Sequence, residues 1–209
     1  VVVSCPAVYG GGRNVFGLFN QGSFSYWWHS TSGTPVLEQT IQWDSDLFLA
    51  LILEDDGSNY VLTAEVVDNG MITIFSFVQV FSLAKASWEI TRLSAVMKET
   101  DVCEIYWNQR TAAGGAASSE ELWSAEITGA AGALSVTTAA ARVMRKALMV
   151  AKPFGDLDGE HYVPVATDIE LAETTSRYLV LQGGSAAPAA KCLEEKCQEQ
   201  ATGLTAGMF

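Results

Sequence analysis

Histidine is almost missing from this chain, and bases are scarce. There are 2 His in 209 residues, and 12 Lys and Arg stand against 24 Asp and Glu, a formal net charge of −12. A protein that grips phosphates over a broad surface is usually basic, so nucleic acid is expected to be at most an indirect partner. Charged residues of either sign make up only 17% of the chain. Even so, no apolar run approaches the ~20 residues of a membrane-spanning helix, and membrane insertion by that route is not expected. No Asn-x-Ser/Thr sequon occurs, since Asn14, Asn20, Asn59, Asn69 and Asn108 all lack the hydroxyl two residues on. That weighs against an extracellular glycoprotein.

Cysteine is sparse too. Cys5 and Cys103 stand alone, while Cys192 and Cys197 lie five apart in KCLEEKCQEQ, a spacing that on a helix would turn the two thiols away from each other. Free thiols are the expectation, with neither metal nor cofactor. The chain opens VVVSCP without Met or a signal-like segment, which reads as an end cut from a precursor or polyprotein.

What is present is apolar and aromatic: 49% of residues are hydrophobic, with 6 Trp, 6 Tyr and 9 Phe. Three runs within DLFLALILEDDGSNYVLTAEVVDNGMITIFSFVQVF, residues 46–81, are rich in β-branched and aromatic residues and separated by EDDGS and DNG. The spacing predicts an antiparallel meander over 46–53, 59–67 and 71–81, with Asn69-Gly70 in the second turn. In the third run both alternating sets are mainly apolar, which predicts cover on both faces, by a second sheet or a neighbouring subunit. CEIYW (Cys103–Trp107), ELWSAEI (Glu121–Ile127) and RYLVLQ (Arg177–Gln182) read as further strands. TTAAARVMRKALMVAK, residues 137–152, is ambiguous between a helix capped by Thr137 or Thr138 and a strand near 147–151. PAAKCLEEKCQEQ reads as a helix started by Pro188.

The stretch SFSYWWHSTSG, Ser23–Gly33, concentrates four aromatics and His29. On a strand, Phe24, Tyr26 and Trp28 take one face and Ser25, Trp27 and His29 the other. With the preceding PAVYGGGRNVFGLFNQG it resembles, over about residues 6–28, one blade of the fucose-lectin-like β-propellers. That resemblance implies sugar stacking on Tyr26, Trp27 and Trp28. A propeller repeats its unit, however, and SLAKASW with EIYWNQ is only a degenerate echo of it.

Catalytic signals are weak. Ser30 adjoins His29 but alternates to the opposite face of a strand, and G-x-S-x-G is absent. His161 lies in the acidic FGDLDGEHYVP, which lacks the full calcium-loop pattern and reads as a solvated turn. A hydrolase using His29 or His161 is therefore the third choice. Arg142, Arg145 and Lys146 would share one face if 137–152 is helical, offering a basic contact for an acidic partner.

The expected fold is mainly β, an antiparallel jelly-roll-like β-sandwich, with one or two short helices in the C-terminal third. The β-rich domain is placed at 1–186 and a helical segment and tail at 187–209. The expected function is a non-enzymatic assembly subunit, a virion coat (capsid) protein that meets copies of itself or sister subunits. The alternative is a secreted carbohydrate-binding β-domain. Binding residues, for a partner or a glycan, are placed at Tyr26, Trp27, His29, Arg142, Arg145 and Lys146.

Overall fold

The structure is a computed structural model that describes residues 7–9, 13–20, 23–30, 33–44, 47–68, 74–112, 120–129, 133–155, 161–167, 175–183, 191–192 and 198–201. Every regular element among them is a β-strand, and the strands of the first, second and fourth sheets pair antiparallel. The mainly β expectation holds.

Four sheets follow one another along the chain. The first joins β1 (Ala7–Tyr9), β2 (Arg13–Asn20) and β3 (Ser23–Ser30). The second runs β4 (Thr34–Gln42), β5 (Leu47–Asp55), β6 (Asn59–Asp68) and β7 (Ile74–Ala84) in sequence order. The third has β8 (Trp88–Glu99), β9 (Val102–Thr111), β10 (Glu121–Thr128) and β11 (Ser135–Arg145), with β8 and β11 outermost. The fourth contains β12 (Ala147–Met149), β13 (Phe154–Gly155), β14 (His161–Thr167), β15 (Thr175–Gly183), β16 (Lys191–Cys192) and β17 (Gln198–Ala201). Two compact units partition the chain. One holds Val1–Ala86, Thr100–Val102 and Glu126–Ala139; the other holds Ser87–Glu99, Cys103–Ala125 and Ala140–Phe209.

The predicted meander is there, as β5, β6 and β7, and β4 precedes it in the same sheet. Asn69 and Gly70 lie outside the described residues. The first turn explains its own sequence. Gly57 takes φ +96°, where a side chain would be strained, and its N–H donates to Asp55 Oδ1 at 2.8 Å. Asp56 accepts from the N–H groups of Ser58 and Asn59 at 2.8 and 2.6 Å, which is the self-bonding that makes Asp a turn residue. Lys85 at the end of β7 closes an ion pair on Asp55. The EDDG acids are thus committed to the hairpin.

In the first unit, Trp43 is buried and its indole N–H donates to Asp101 Oδ1 at 3.1 Å. Asp101 has φ +61°, and its carbonyl accepts from Gly129 N–H at 2.8 Å and Thr128 Oγ1 at 3.0 Å. A Cβ at Gly129 would come within 2.6 Å of the Trp43 ring.

The second unit is organised around β9, whose residues 103–109 are all buried. Alternation separates Glu104, Tyr106 and Asn108 from Cys103, Ile105, Trp107 and Gln109. Tyr106 shares one apolar cluster with Val96, Leu122, Ala147, Met149, Val163 and Val165, with Val143 and Met144 packed against it. Asn108 is fully buried, and its amide substitutes for a neighbouring strand. Nδ2 donates to the Ala147 carbonyl at 2.6 Å and to the Glu121 carbonyl at 3.2 Å, while Oδ1 accepts from Met149 N–H at 2.8 Å. Trp107 stacks on Trp123, ring centroids 6.3 Å apart, and donates its indole N–H to Gln109 Oε1 at 3.0 Å.

One ambiguity is resolved and one expectation is corrected. Residues 137–152 are not helical: 137–145 belong to β11 and 147–149 form β12, with Lys146 at φ +49° between them. The intrinsic helix preference of Ala, Met, Arg and Lys amounts to fractions of a kcal/mol per residue, and pairing with β10 overrides it. Of the helical segment placed at 187–209, the described residues are strands, β16 and β17, both paired with β15.

Asn108→Ala would strand the Ala147 carbonyl and the Met149 N–H in the interior, and is expected to cost about 3–4 kcal/mol in chemical denaturation. Gly129→Ala forces the Trp43 ring aside and is expected to cost about 1–3 kcal/mol by the same measurement.

The acidic turn makes stability pH-dependent. The Lys85 ammonium and the Gly57 N–H hold Asp55 below its ordinary 3.8, and the Asn59 and Ser58 N–H groups do the same for Asp56. Carboxylates lowered by folding contribute fully above their unfolded value, and that contribution is lost as pH falls through the folded one. The Asp55 carboxylate raises Lys85 above 10.5, so its contribution persists until pH rises through the folded value. Asp56→Ala is therefore expected to lose less thermal stability than the parent between about pH 5 and about pH 2.

Candidate functional site

The SFSYWWHS stretch is a strand, as expected. In β3, Tyr26 pairs with Gly17, Trp27 with Phe16, Trp28 with Val15 and His29 with Asn14, all on β2. Which faces these aromatics cover concerns side chains outside the described residues.

The basic residues do not gather as expected. With a strand in place of a helix, Arg142 and Arg145 are three positions apart and alternate to opposite faces. Arg142 donates from Nη1 to Glu121 Oε1 at 3.0 Å, so its charge is met within the third sheet. Arg145 is exposed at the end of β11, and Lys146 is exposed in the left-handed region. The shared helical face is overturned because the 3.6-residue period it needs is not the period of the backbone.

The structure brings together a set that the sequence reading did not. His161 opens β14 and is fully buried, at 0% exposure. Its Nε2 lies 2.8 Å from Glu104 Oε2 and 2.6 Å from the Tyr106 hydroxyl, and the two rings are tilted at 54°. Nε2 carries at most one hydrogen, so the contacts cannot all be independent. The arrangement that uses all three contacts has the Tyr106 O–H donating to Glu104, while Nε2–H is shared between the Glu104 carboxylate and the Tyr106 oxygen. His161 Nδ1 is then a buried acceptor with no hydrogen-bond partner among the described residues.

Burial first, then the negative Glu104 beside it, pushes the Tyr106 phenol far above its ordinary range. The same two causes, in the same order, push up the neighbouring Cys103 thiol, which is free and fully buried. Both groups stay protonated and weakly nucleophilic. What the trio does chemically is close a polar circuit inside an apolar cluster, tying β9 to the start of β14.

A second network lies on the same sheet. Arg110 donates from Nε to Glu89 at 2.8 Å and lies 3.8 Å from Glu120, which also accepts from Thr91 Oγ1 at 3.0 Å. Burial leads the upward shift of Glu120, while the Arg110 guanidinium lowers Glu89. Among the described residues no three His, Cys, Asp or Glu side chains are placed to hold a metal ion. The acidic loop of Asp156, Asp158 and Glu160 lies outside the described residues.

No protein-family model matches this chain, and no curated protein is significantly similar to it.

The signal for the trio was present in CEIYWNQ. Glu104, Tyr106 and Asn108 are polar or amphipathic residues at every second position of an otherwise apolar strand, which requires buried partners on that face. Their partner His161 was read only as part of a solvated turn. Tyr106→Phe, which removes one donor, is expected to cost about 1–2 kcal/mol. Glu104→Ala leaves two buried donors without an acceptor and is expected to cost about 3–5 kcal/mol. Urea unfolding of both variants tests the circuit.

Proposed function

We propose that this chain is a non-enzymatic structural subunit that assembles through its sheet surfaces, and that it serves as a virion coat protein of the jelly-roll sandwich class. The observation that carries assembly is Phe77. It is 70% exposed on β7, the outer strand of the second sheet, among neighbours such as Phe81 that are buried. Covering a phenylalanine is worth about 2–3 kcal/mol, which a partner that covers Phe77 would gain. The sequence pattern calls for cover on both faces of this strand. Among the described residues Phe77 is left largely open, and a neighbouring subunit would supply its cover.

The sandwich reading draws support from the second unit. There, strands of the third sheet and β12 and β14 of the fourth contribute to one apolar cluster, the arrangement that two packed sheets require. The step to a virion coat is an analogy of class: mainly β chains of this length, with partners that are other coat subunits. The net charge of −12 keeps packaged nucleic acid an indirect partner.

Light scattering and electron microscopy of the purified chain test the proposal. A large closed assembly is expected. Phe77→Ser is expected to shift the mass distribution toward small species without lowering the melting temperature, because the side chain is mostly in water already. A monomer at every concentration would overturn the assembly reading. Glycan binding abolished by Trp27→Ala would replace it with the carbohydrate-binding one.

A further inference from the structure

The outer strands of the sheets are not alike. β4 carries Pro35 and a register shift between Pro35 and Leu37, β7 pairs with β6 through two register shifts, and β12 and β16 are only three and two residues long. Proline, bulges and shortness are the usual devices that stop a sheet edge from recruiting another strand. β11 has none of the proline, the shortness or a central charge. It spans eleven residues, SVTTAAARVMR, and is the terminal strand of its sheet among the described residues. Ser135 to Ala141 are uncharged and small or β-branched, and Ala139, Ala140 and Ala141 are all exposed.

We propose that this edge pairs antiparallel with β11 of a second copy of the chain. The proposal rests on the assembly reading and names the surface that the assembly uses. The occupant follows from how charge is distributed along the strand. One end holds Arg145 and the adjoining Lys146, just beyond Arg142, whose charge is already met by Glu121. At the other, Thr137 Oγ1 donates to Glu126 Oε1 at 2.8 Å, so a carboxylate lies alongside. Antiparallel pairing of identical strands sets the basic end of each copy against the end with the carboxylate. Parallel pairing would stack arginine on arginine.

Full overlap of the eleven residues fixes the register. The two-fold axis passes through Ala140, so Ala139 meets Ala141, Thr138 meets Arg142 and Ser135 meets Arg145. The two copies of Arg142 are then four residues apart along the strands, or ~14 Å. That exceeds the screening length of ~8 Å at physiological salt, so the like charges do not oppose the pairing. The small side chains around the axis leave the backbones free to approach.

Two substitutions test the edge. Ala140→Lys puts two ammonium groups directly opposite one another, at Cβ separations of ~5 Å. It is expected to lower the assembly mass while leaving circular dichroism and melting temperature unchanged, since the position is exposed. Ala140→Cys places a thiol opposite its own copy and is expected to give a covalent dimer on mild oxidation that the parent chain does not. Ala139→Cys, opposite Ala141, is expected not to. An assembly that Phe77→Ser disrupts but Ala140→Lys does not, with no cross-link at residue 140, would overturn the β11 proposal and leave the assembly reading standing. A parent chain that is monomeric throughout would overturn both.

Discussion

A strand buried on both faces has no water with which to satisfy a polar side chain, and β9 is buried from residue 103 to residue 109. Its backbone is satisfied by β8 and β10, but Glu104, Tyr106, Asn108 and Gln109 must each find a partner within the protein. The arrangement of the second unit follows from those obligations. Asn108 is met by the backbone of β12, Glu104 and Tyr106 by His161 at the head of β14, and Gln109 by the indole of Trp107. An unmade buried hydrogen bond costs about 1–3 kcal/mol, comparable to burying one more side chain. Hydrophobic packing alone tolerates sliding of one surface over another, whereas a bond at 2.6 Å does not. The apolar cluster supplies most of the stabilisation, and the polar contacts select the one register in which nothing is stranded.

These obligations also explain what could be read in advance. The β5 to β7 meander was legible because its information is local: apolar runs of strand length, punctuated by Asp55, Asp56 and Gly57, whose side-chain and φ requirements identify the turn. Residues 137–152 stayed open between helix and strand for an equally local reason. Ala, Met, Arg and Lys favour a helix, and nothing within them announces that β10 will lie beside β11. The common face of Arg142, Arg145 and Lys146 depended on the helical alternative. The polar circuit was illegible for the opposite reason. Glu104 and Tyr106 find His161 more than fifty residues away, and Asn108 finds Ala147 and Met149 at separations of 39 and 41. A single sequence shows that such residues need partners without showing which.

The contrast between covered and uncovered strands carries the functional argument further than any reactive group does. Among the described residues, Tyr106 and His161 are buried and tie β9 to β14, and Cys103 is buried on the same strand. The chain encloses β5 and β9 on both faces by itself, yet leaves Phe77 70% exposed and the alanines of β11 in water. A chain able to cover two whole strands is not short of apolar material. That open surface is what the proposed second copy would cover.

Under the proposed assembly, charge would limit where a second copy can dock. Each copy carries a formal −12, and two such bodies repel once their separation falls within the screening length. A contact between them forms at least cost where the local surface is neutral or positive. Acids crowd the β5–β6 turn, where Asp55 and Asp56 are held ionised by their partners, so that end of the second sheet is unsuited to self-association. The stretch from Ser135 to Lys152 is the reverse: it contains Arg142, Arg145, Lys146 and Lys152 and no acidic residue. One third of the chain's bases therefore lie in or just after β11. Phe77 supplies apolar area without direction, and an open backbone edge supplies direction with little area. An assembly that must repeat one geometry many times needs both.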